Sequence, residues 1–205
     1  MAIFLKNATF LHIPKTGGTW VRKQLQNMGL VEEIVYGQDC EPQFGTGRTN
    51  IHNIPIYDER FDVDRLVFCF VRNPLDWYKS YFGYRQITPW VHDSLRLDMF
   101  CESKDFNEFI DKVIQNFPFG YCTRLYSFFK ECHHVSPYVW VGRQENLKSD
   151  LIKILNTFQI EFDESKITDD KINDSETSQY IYTPEQERKI RAIEKEVFTI
   201  YYKGE

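Results

Sequence analysis

No stretch of the 205-residue sequence approaches the ~20 consecutive apolar residues needed to cross a bilayer, so no membrane span is expected. Cysteine is sparse and lacks paired spacing: Cys40, Cys69, Cys101, Cys122 and Cys132 make an odd set of five, unlike a disulfide framework. They read as mostly buried free thiols in a reducing compartment. Metal-ligand spacing is missing too, because Cys132-His133-His134 has no second ligand pair to close a tetrahedral site; no metal is expected. Positive charge is not in excess, with 25 Lys and Arg against 30 Asp and Glu and a net charge of −5. That balance argues against a broad nucleic-acid-binding face and leaves room for a local basic pocket. The GxxxxGK[ST] order of a Walker A loop does not occur. The first predicted strand follows Met1 so closely that no signal peptide fits before it, giving the expectation of a cytoplasmic protein.

What is present is a compact globular composition, 42% hydrophobic and 16% aromatic, sufficient to bury a sizeable core in one domain spanning 1–205. The chain is organised around Thr9-Phe-Leu-His-Ile-Pro-Lys-Thr-Gly-Gly-Thr-Trp20. Phe10, Leu11 and Ile13 read as a short buried strand that Pro14 ends. Lys15-Thr16-Gly17-Gly18-Thr19 then turns into a segment with Val21, Leu25 and Met28 at helical spacing. Strand, glycine turn and helix in that order make an anion cradle. The glycines allow a tight bend, the first N–H groups of the helix point at a ligand, and the helix dipole favours negative charge there. Lys15 adds a full positive charge, and Thr16 and Thr19 add hydroxyl donors.

Further along, a first helix is predicted over 20–29 with Gly29 as its stop, then a largely loop region over 30–62 with a short strand at Glu33–Tyr36. Leu66-Val-Phe-Cys-Phe-Val71 suits a strand buried on both faces, the parallel-sheet pattern. Asn73-Pro74 closes it and opens a helix over Leu75–Arg85. Residues 86–104 are mixed and aromatic, an insertion or lid over the site. Helices follow around Phe106–Ile114 and Leu125–Phe129, then a strand at Tyr138–Val141 and a helix over Leu147–Phe158. Residues 163–179 read as a surface loop, and Thr183-Pro184 opens a last helix running to Tyr201. Alternating strands and helices predict a three-layer α/β/α fold with a mainly parallel central sheet. Lys15 and Arg72 both lie just past the carboxyl end of a predicted strand, where such sheets bind ligands.

Arg72-Asn-Pro-Leu-Asp-Trp-Tyr-Lys-Ser80 repeats the logic of the first loop: a guanidinium that can grip an anion with two parallel bonds, and a serine about two helical turns on. Together the two stretches resemble the sulfotransferases that use 3′-phosphoadenosine 5′-phosphosulfate (PAPS). His12-Ile-Pro-Lys-Thr-Gly-Gly-Thr19 is similar to their 5′-phosphosulfate loop, and Phe70-Val-Arg-Asn-Pro74 with Ser80 to their 3′-phosphate motif. The likeness is closest to the carbohydrate O-sulfotransferase branch, with weaker echoes in Val141-Gly-Arg-Gln-Glu-Asn-Leu147 and in Asn173…Tyr182-Thr-Pro-Glu185. Unlike the Golgi members of that branch, this chain shows neither a membrane anchor nor disulfide spacing.

The resemblance implies a P-loop-like fold, PAPS as co-substrate with adenosine 3′,5′-bisphosphate (PAP) as product, and a hydroxyl acceptor on a carbohydrate. It implies that backbone N–H groups from Thr16 to Trp20, including Gly17, Gly18 and Thr19, hold the 5′-phosphosulfate. Lys15 would contact the oxygen bridging phosphorus and sulfur, while Arg72 and Ser80 would hold the 3′-phosphate. A base between the two motifs is the family pattern, and His52 in Arg48-Thr-Asn-Ile-His52 is the candidate, its ordinary pKa suiting neutral pH. His92 beside Asp93 is the reserve, and His12, inside the first strand, reads as structural. Arg48, Tyr84, Arg85 and Trp90 are candidates to meet an acceptor. On the residues alone two other readings stay open: a nucleotide kinase or other phosphotransferase, and a nucleotide-binding module without transfer.

Overall fold

The computed structural model describes residues 1–35, 65–90, 96–131, 139–169 and 177–204. Their contacts group them into two compact units.

The first unit comprises 1–35, 65–72 and 139–169 and holds a five-stranded sheet. Its strands are β1 (Ala2–Phe4), β2 (Ala8–Leu11), β3 (Glu33–Val35), β4 (Leu66–Val71) and β5 (Val139–Arg143), in spatial order β3-β1-β2-β4-β5. The parallel expectation holds for the adjacent strands β2, β4 and β5, where Leu11 pairs with Cys69 and Val71 with Arg143. β1 runs antiparallel to both β2 and β3, which makes the sheet mixed. The sequence reading has no strand here: the five apolar residues before Lys6-Asn7, three of which form β1, are too short a run for a periodicity signal. Pairing across the turn (Leu5 N–H to Ala8 O, 2.9 Å) and complete burial of Ala2, Ile3 and Phe4 hold it instead. Arg65 fastens that turn, donating to Thr9 Oγ1 at 2.7 Å and to the carbonyls of Leu5 and Ala8, with its guanidinium over the Phe4 ring.

β4 is buried on both faces, as its unbroken apolar run predicts: Phe68 and Phe70 to one side, Val67, Cys69 and Val71 to the other. The phenylalanine side packs with Phe10 against helices α1 (Gly18–Asn27) and α6 (Leu147–Thr157), whose Trp20, Val21, Leu25, Leu151, Leu155 and following Phe158 complete the core. The stretch after residue 163 is only partly a surface loop. A short 3-10 turn at Glu164–Lys166 drops Ile167 into that core, and Thr168 exchanges hydrogen bonds with the buried amide of Gln24 (3.0 and 3.3 Å).

The second unit comprises 73–90, 96–127 and 177–204. It contains α2 (Pro74–Ile87), α3 (Arg96–Cys101), α4 (Phe106–Asn116), the opening turns of α5 (Tyr121–Glu131), α7 (Pro184–Ile193) and α8 (Lys195–Tyr201). Its core is aromatic: Trp77 stacks on Tyr81 at 5.0 Å between ring centres, Phe82 meets Phe109 at 5.4 Å, and Phe106 meets Tyr182 edge-on at 5.0 Å. The cap signals act as read. Asn73 accepts from Leu75 N–H ahead of Pro74, and Thr183 with Gln186 forms a reciprocal capping box. Among the described residues no helix is long and apolar enough to cross a membrane.

The single last helix expected to reach Tyr201 is instead broken at Glu194 (φ −98°, ψ 17°). The break turns a buried carboxylate onto the start of α5. There it accepts from Cys122 N–H (2.9 Å), Thr123 N–H (2.7 Å), the Thr123 hydroxyl (2.7 Å) and the Tyr78 hydroxyl (2.5 Å). Burial pushes the Glu194 carboxyl above its ordinary pKa, against the opposing pull of these donors. Gly120 makes room for it, since a Cβ there would lie 2.5 Å from Glu194 Oε2. Glu194→Ala leaves four buried donors without their acceptor and is expected to cost about 2–4 kcal/mol in urea denaturation, with Glu194→Gln intermediate because its NH2 must face a donor.

Candidate active site

Because β2 and β4 are neighbouring parallel strands in register, the chain leaves both at the same end of the sheet. The two segments that follow, Pro14–Gly18 and Arg72, are therefore neighbours in space although far apart in sequence. Their contact is direct, with Arg72 Nη1 3.4 Å from the Lys15 carbonyl oxygen.

The first segment is shaped by its own residues. Lys15 sits at φ 64° and Gly17 at φ 85°, so two left-handed residues reverse the chain before α1. Gly17 is needed twice over: for its backbone angle, and because a Cβ would stand 2.6 Å from Leu147 Cδ1 at the start of α6. Gly18 is needed for space alone, since a Cβ there would overlap the His12 imidazole. His12 is thus structural, as expected, though it follows β2 instead of lying within it. Its ring is buried, roughly parallel to Phe10 at 6.2 Å. The N-cap of α1 is Gly17, which has no side chain to accept from the first amides of the helix.

The expected ligand-binding residues fall into distinct places. Lys15, Gly17 and Thr19 are half-buried in the loop, and Gly18 is buried at the helix start. Thr16 corrects the expectation of a hydroxyl aimed at a ligand: its side chain is fully buried and donates to the Ile13 carbonyl at 2.9 Å, leaving only its backbone to the cradle. The Trp20 ring is likewise part of the core of the first unit. Arg72 is half-buried at the exit of β4. Ser80 is buried on α2, in the second unit. His52, His92, Asp93 and Arg48 lie outside the described residues.

Arg85 is a second correction. Its guanidinium is buried in an ion pair with Asp98 (2.7 Å) and donates to the Pro89 carbonyl (2.9 Å), while Tyr81 donates to the same carboxylate. It ties α3 to α2 and cannot serve an acceptor. The spacing gave no sign of this, because the partner carboxylate lies in a stretch without periodicity. Trp90 packs on Phe109, 6.0 Å between ring centres, and Tyr84 remains exposed.

One cation escaped the sequence reading as a site residue. Arg143 ends β5 directly beside Val71, its N–H held by Asp150 at 2.7 Å and its guanidinium 3.1 Å from the Asn146 side-chain amide. Lys15, Arg72 and Arg143 thus stand at the carboxyl ends of three adjacent parallel strands. Among the described residues no group of three or more His, Cys, Asp or Glu is arranged to hold a metal ion.

The fold is the mixed α/β, P-loop-like architecture of the sulfotransferases, with a central sheet flanked by helices. The solved structure that carries this likeness is the mouse sulfotransferase SULT7A1 complexed with PAP: TM-score 0.57, 13% identity, covering 94% of this chain and 83% of that one. At that identity the match speaks for the fold. No protein-family model and no curated protein sequence matches the chain.

Gly18→Ala is expected to force His12 and the start of α1 apart and to cost about 1–3 kcal/mol in chemical denaturation. If the tight fit is the cause, adding His12→Ala to it costs less than the two single changes summed, which a double-mutant cycle reads directly.

Proposed function

We propose that the chain is a PAPS-dependent sulfotransferase acting on a hydroxyl group, with a carbohydrate as acceptor. The observation that carries the reading is the meeting of two cationic chain exits, Lys15 and Arg72, beside a helix start whose cap has no side chain, at the carboxyl edge of a sheet with the sulfotransferase fold. These groups suit a polyanion. An ammonium, a guanidinium and a row of backbone N–H groups offer donors and positive charge from fixed positions. The neighbouring structure is complexed with PAP, an adenosine whose ribose carries phosphates at its 3′ and 5′ positions.

In this proposal the backbone N–H groups from Thr16 to Trp20, with Gly17, Gly18 and Thr19 between them, grip the 5′ end of the nucleotide. Arg72 grips its 3′-phosphate, which separates this donor from ATP. PAPS supplies a sulfuryl group already activated by its phosphate leaving group. Lys15 holds positive charge where the bridging oxygen becomes negative as the bond breaks, a stabilisation larger in the transition state than in the ground state. His52 takes the proton of the attacking hydroxyl, which must be in line with the breaking bond. Fixed cations do here what magnesium does in phosphoryl transfer.

Incubation with labelled PAPS and a panel of glycans, lipids, phenols and peptides tests the reaction and the acceptor together. Label on glycans is the expected result, and label confined to phenols or tyrosyl peptides overturns the carbohydrate assignment. Lys15→Ala and Arg72→Ala are each expected to weaken PAP binding in calorimetry. His52→Ala is expected to keep nucleotide affinity and lower turnover ~10²-fold or more; unchanged turnover removes it from the mechanism. Binding of ATP with magnesium in preference to PAP would instead favour a phosphotransferase.

A further inference from the structure

We propose that Arg72 is a positioning residue for the Lys15 loop as well as a phosphate ligand, so that the two ends of the nucleotide are read by one coupled device. This deepens the donor reading above and rests on it. Lys15 is a side-chain-bearing residue held at φ 64°, a conformation that persists only where its surroundings impose it. Contacts from several parts of the chain surround that turn. Thr16 anchors it to the Ile13 carbonyl, Leu147 packs against Gly17, and Arg72 Nη1 faces the Lys15 carbonyl at 3.4 Å. The last of these comes from the segment expected to hold the far phosphate.

The anchor from which Arg72 reaches is rigid. It is the first residue after β4, a strand buried on both faces and paired on both edges. A guanidinium presents five N–H donors in a planar fork, so one such group can serve a backbone carbonyl and an anion together, whereas an ammonium is a compact point charge. The 3.4 Å separation is at the long end of hydrogen bonding, so a phosphate drawing on the fork can tighten or release the loop. A donor's 3′-phosphate then helps set the carbonyl of the residue whose ammonium meets the reacting end. Coupling of this kind favours the 3′-phosphorylated donor in the transition state as well as in binding.

Calorimetry of the full chain with PAP and with adenosine 5′-phosphosulfate, which lacks the 3′-phosphate, separates the two roles. Arg72→Ala is expected to weaken both ligands, adenosine 5′-phosphosulfate by about tenfold. Arg72→Lys keeps the charge and most of the bulk, so it is expected to recover part of the PAP affinity while the loss for adenosine 5′-phosphosulfate persists. Full recovery of adenosine 5′-phosphosulfate binding in Arg72→Lys would reduce the effect to charge alone and overturn the coupling. A loss confined to PAP in both variants would overturn it too, while leaving the donor reading intact. Failure of the unaltered chain to bind either nucleotide would overturn the donor reading and the coupling with it. Thermal melting of each variant guards against misfolding, and Arg72→Gln, which keeps an N–H donor without charge, repeats the comparison if Arg72→Ala does not fold.

Discussion

The parallel pairing of β2 with β4 is the constraint on which the candidate site depends. Register fixes Leu11 beside Cys69, and from that point both strands run out toward the same edge within a few residues. Separated by 57 positions in sequence, Lys15 and Arg72 meet because of this pairing and not because of any local preference. The sheet can hold the register because β4 is apolar on both faces, so a slip by one residue would exchange Phe68 and Phe70 for Val67, Cys69 and Val71 throughout the core. Site geometry and core packing are therefore one problem with one solution.

Within the loop, small residues and neighbours fit each other across the sheet end. Gly17 is matched to Leu147, Gly18 to His12, and Gly142 to the ring of Phe70, where a Cβ would come within 2.5 Å. Each glycine thus marks a place where a bulky side chain from another element presses on the backbone. The turn at the start of α1 is thus shaped from behind, by the core.

Local signals were legible in the sequence wherever one segment decides its own structure. The apolar run of β4, Asn73-Pro74 before α2, the helical spacing of Phe106, Phe109, Ile110 and Val113, and Thr183-Pro184 before α7 all marked elements that form there. What could not be read depends on a distant partner. β1 is too short to show a period and exists through its pairing with β2 and β3. Arg85 reads as a candidate acceptor contact because nothing in its own helix reveals Asp98, and the Thr16 hydroxyl reads as a ligand donor because the Ile13 carbonyl is a feature of the turn. The stretches around Lys15 and Arg72 could be singled out by residue type and order, whereas the contact between them belongs to the fold.

The second unit illustrates the same dependence on distance through Glu194. Its carboxylate reaches back 72 residues to Cys122 and 116 residues to Tyr78, so the Cys122 and Thr123 amides at the start of α5 find their acceptor in a distant segment. During synthesis, α2, α4 and α5 emerge well before that acceptor does. Until the ribosome has delivered the stretch around position 194, the nascent helices must either stay loose or bury an open helix end, so completion of this unit waits for that stretch.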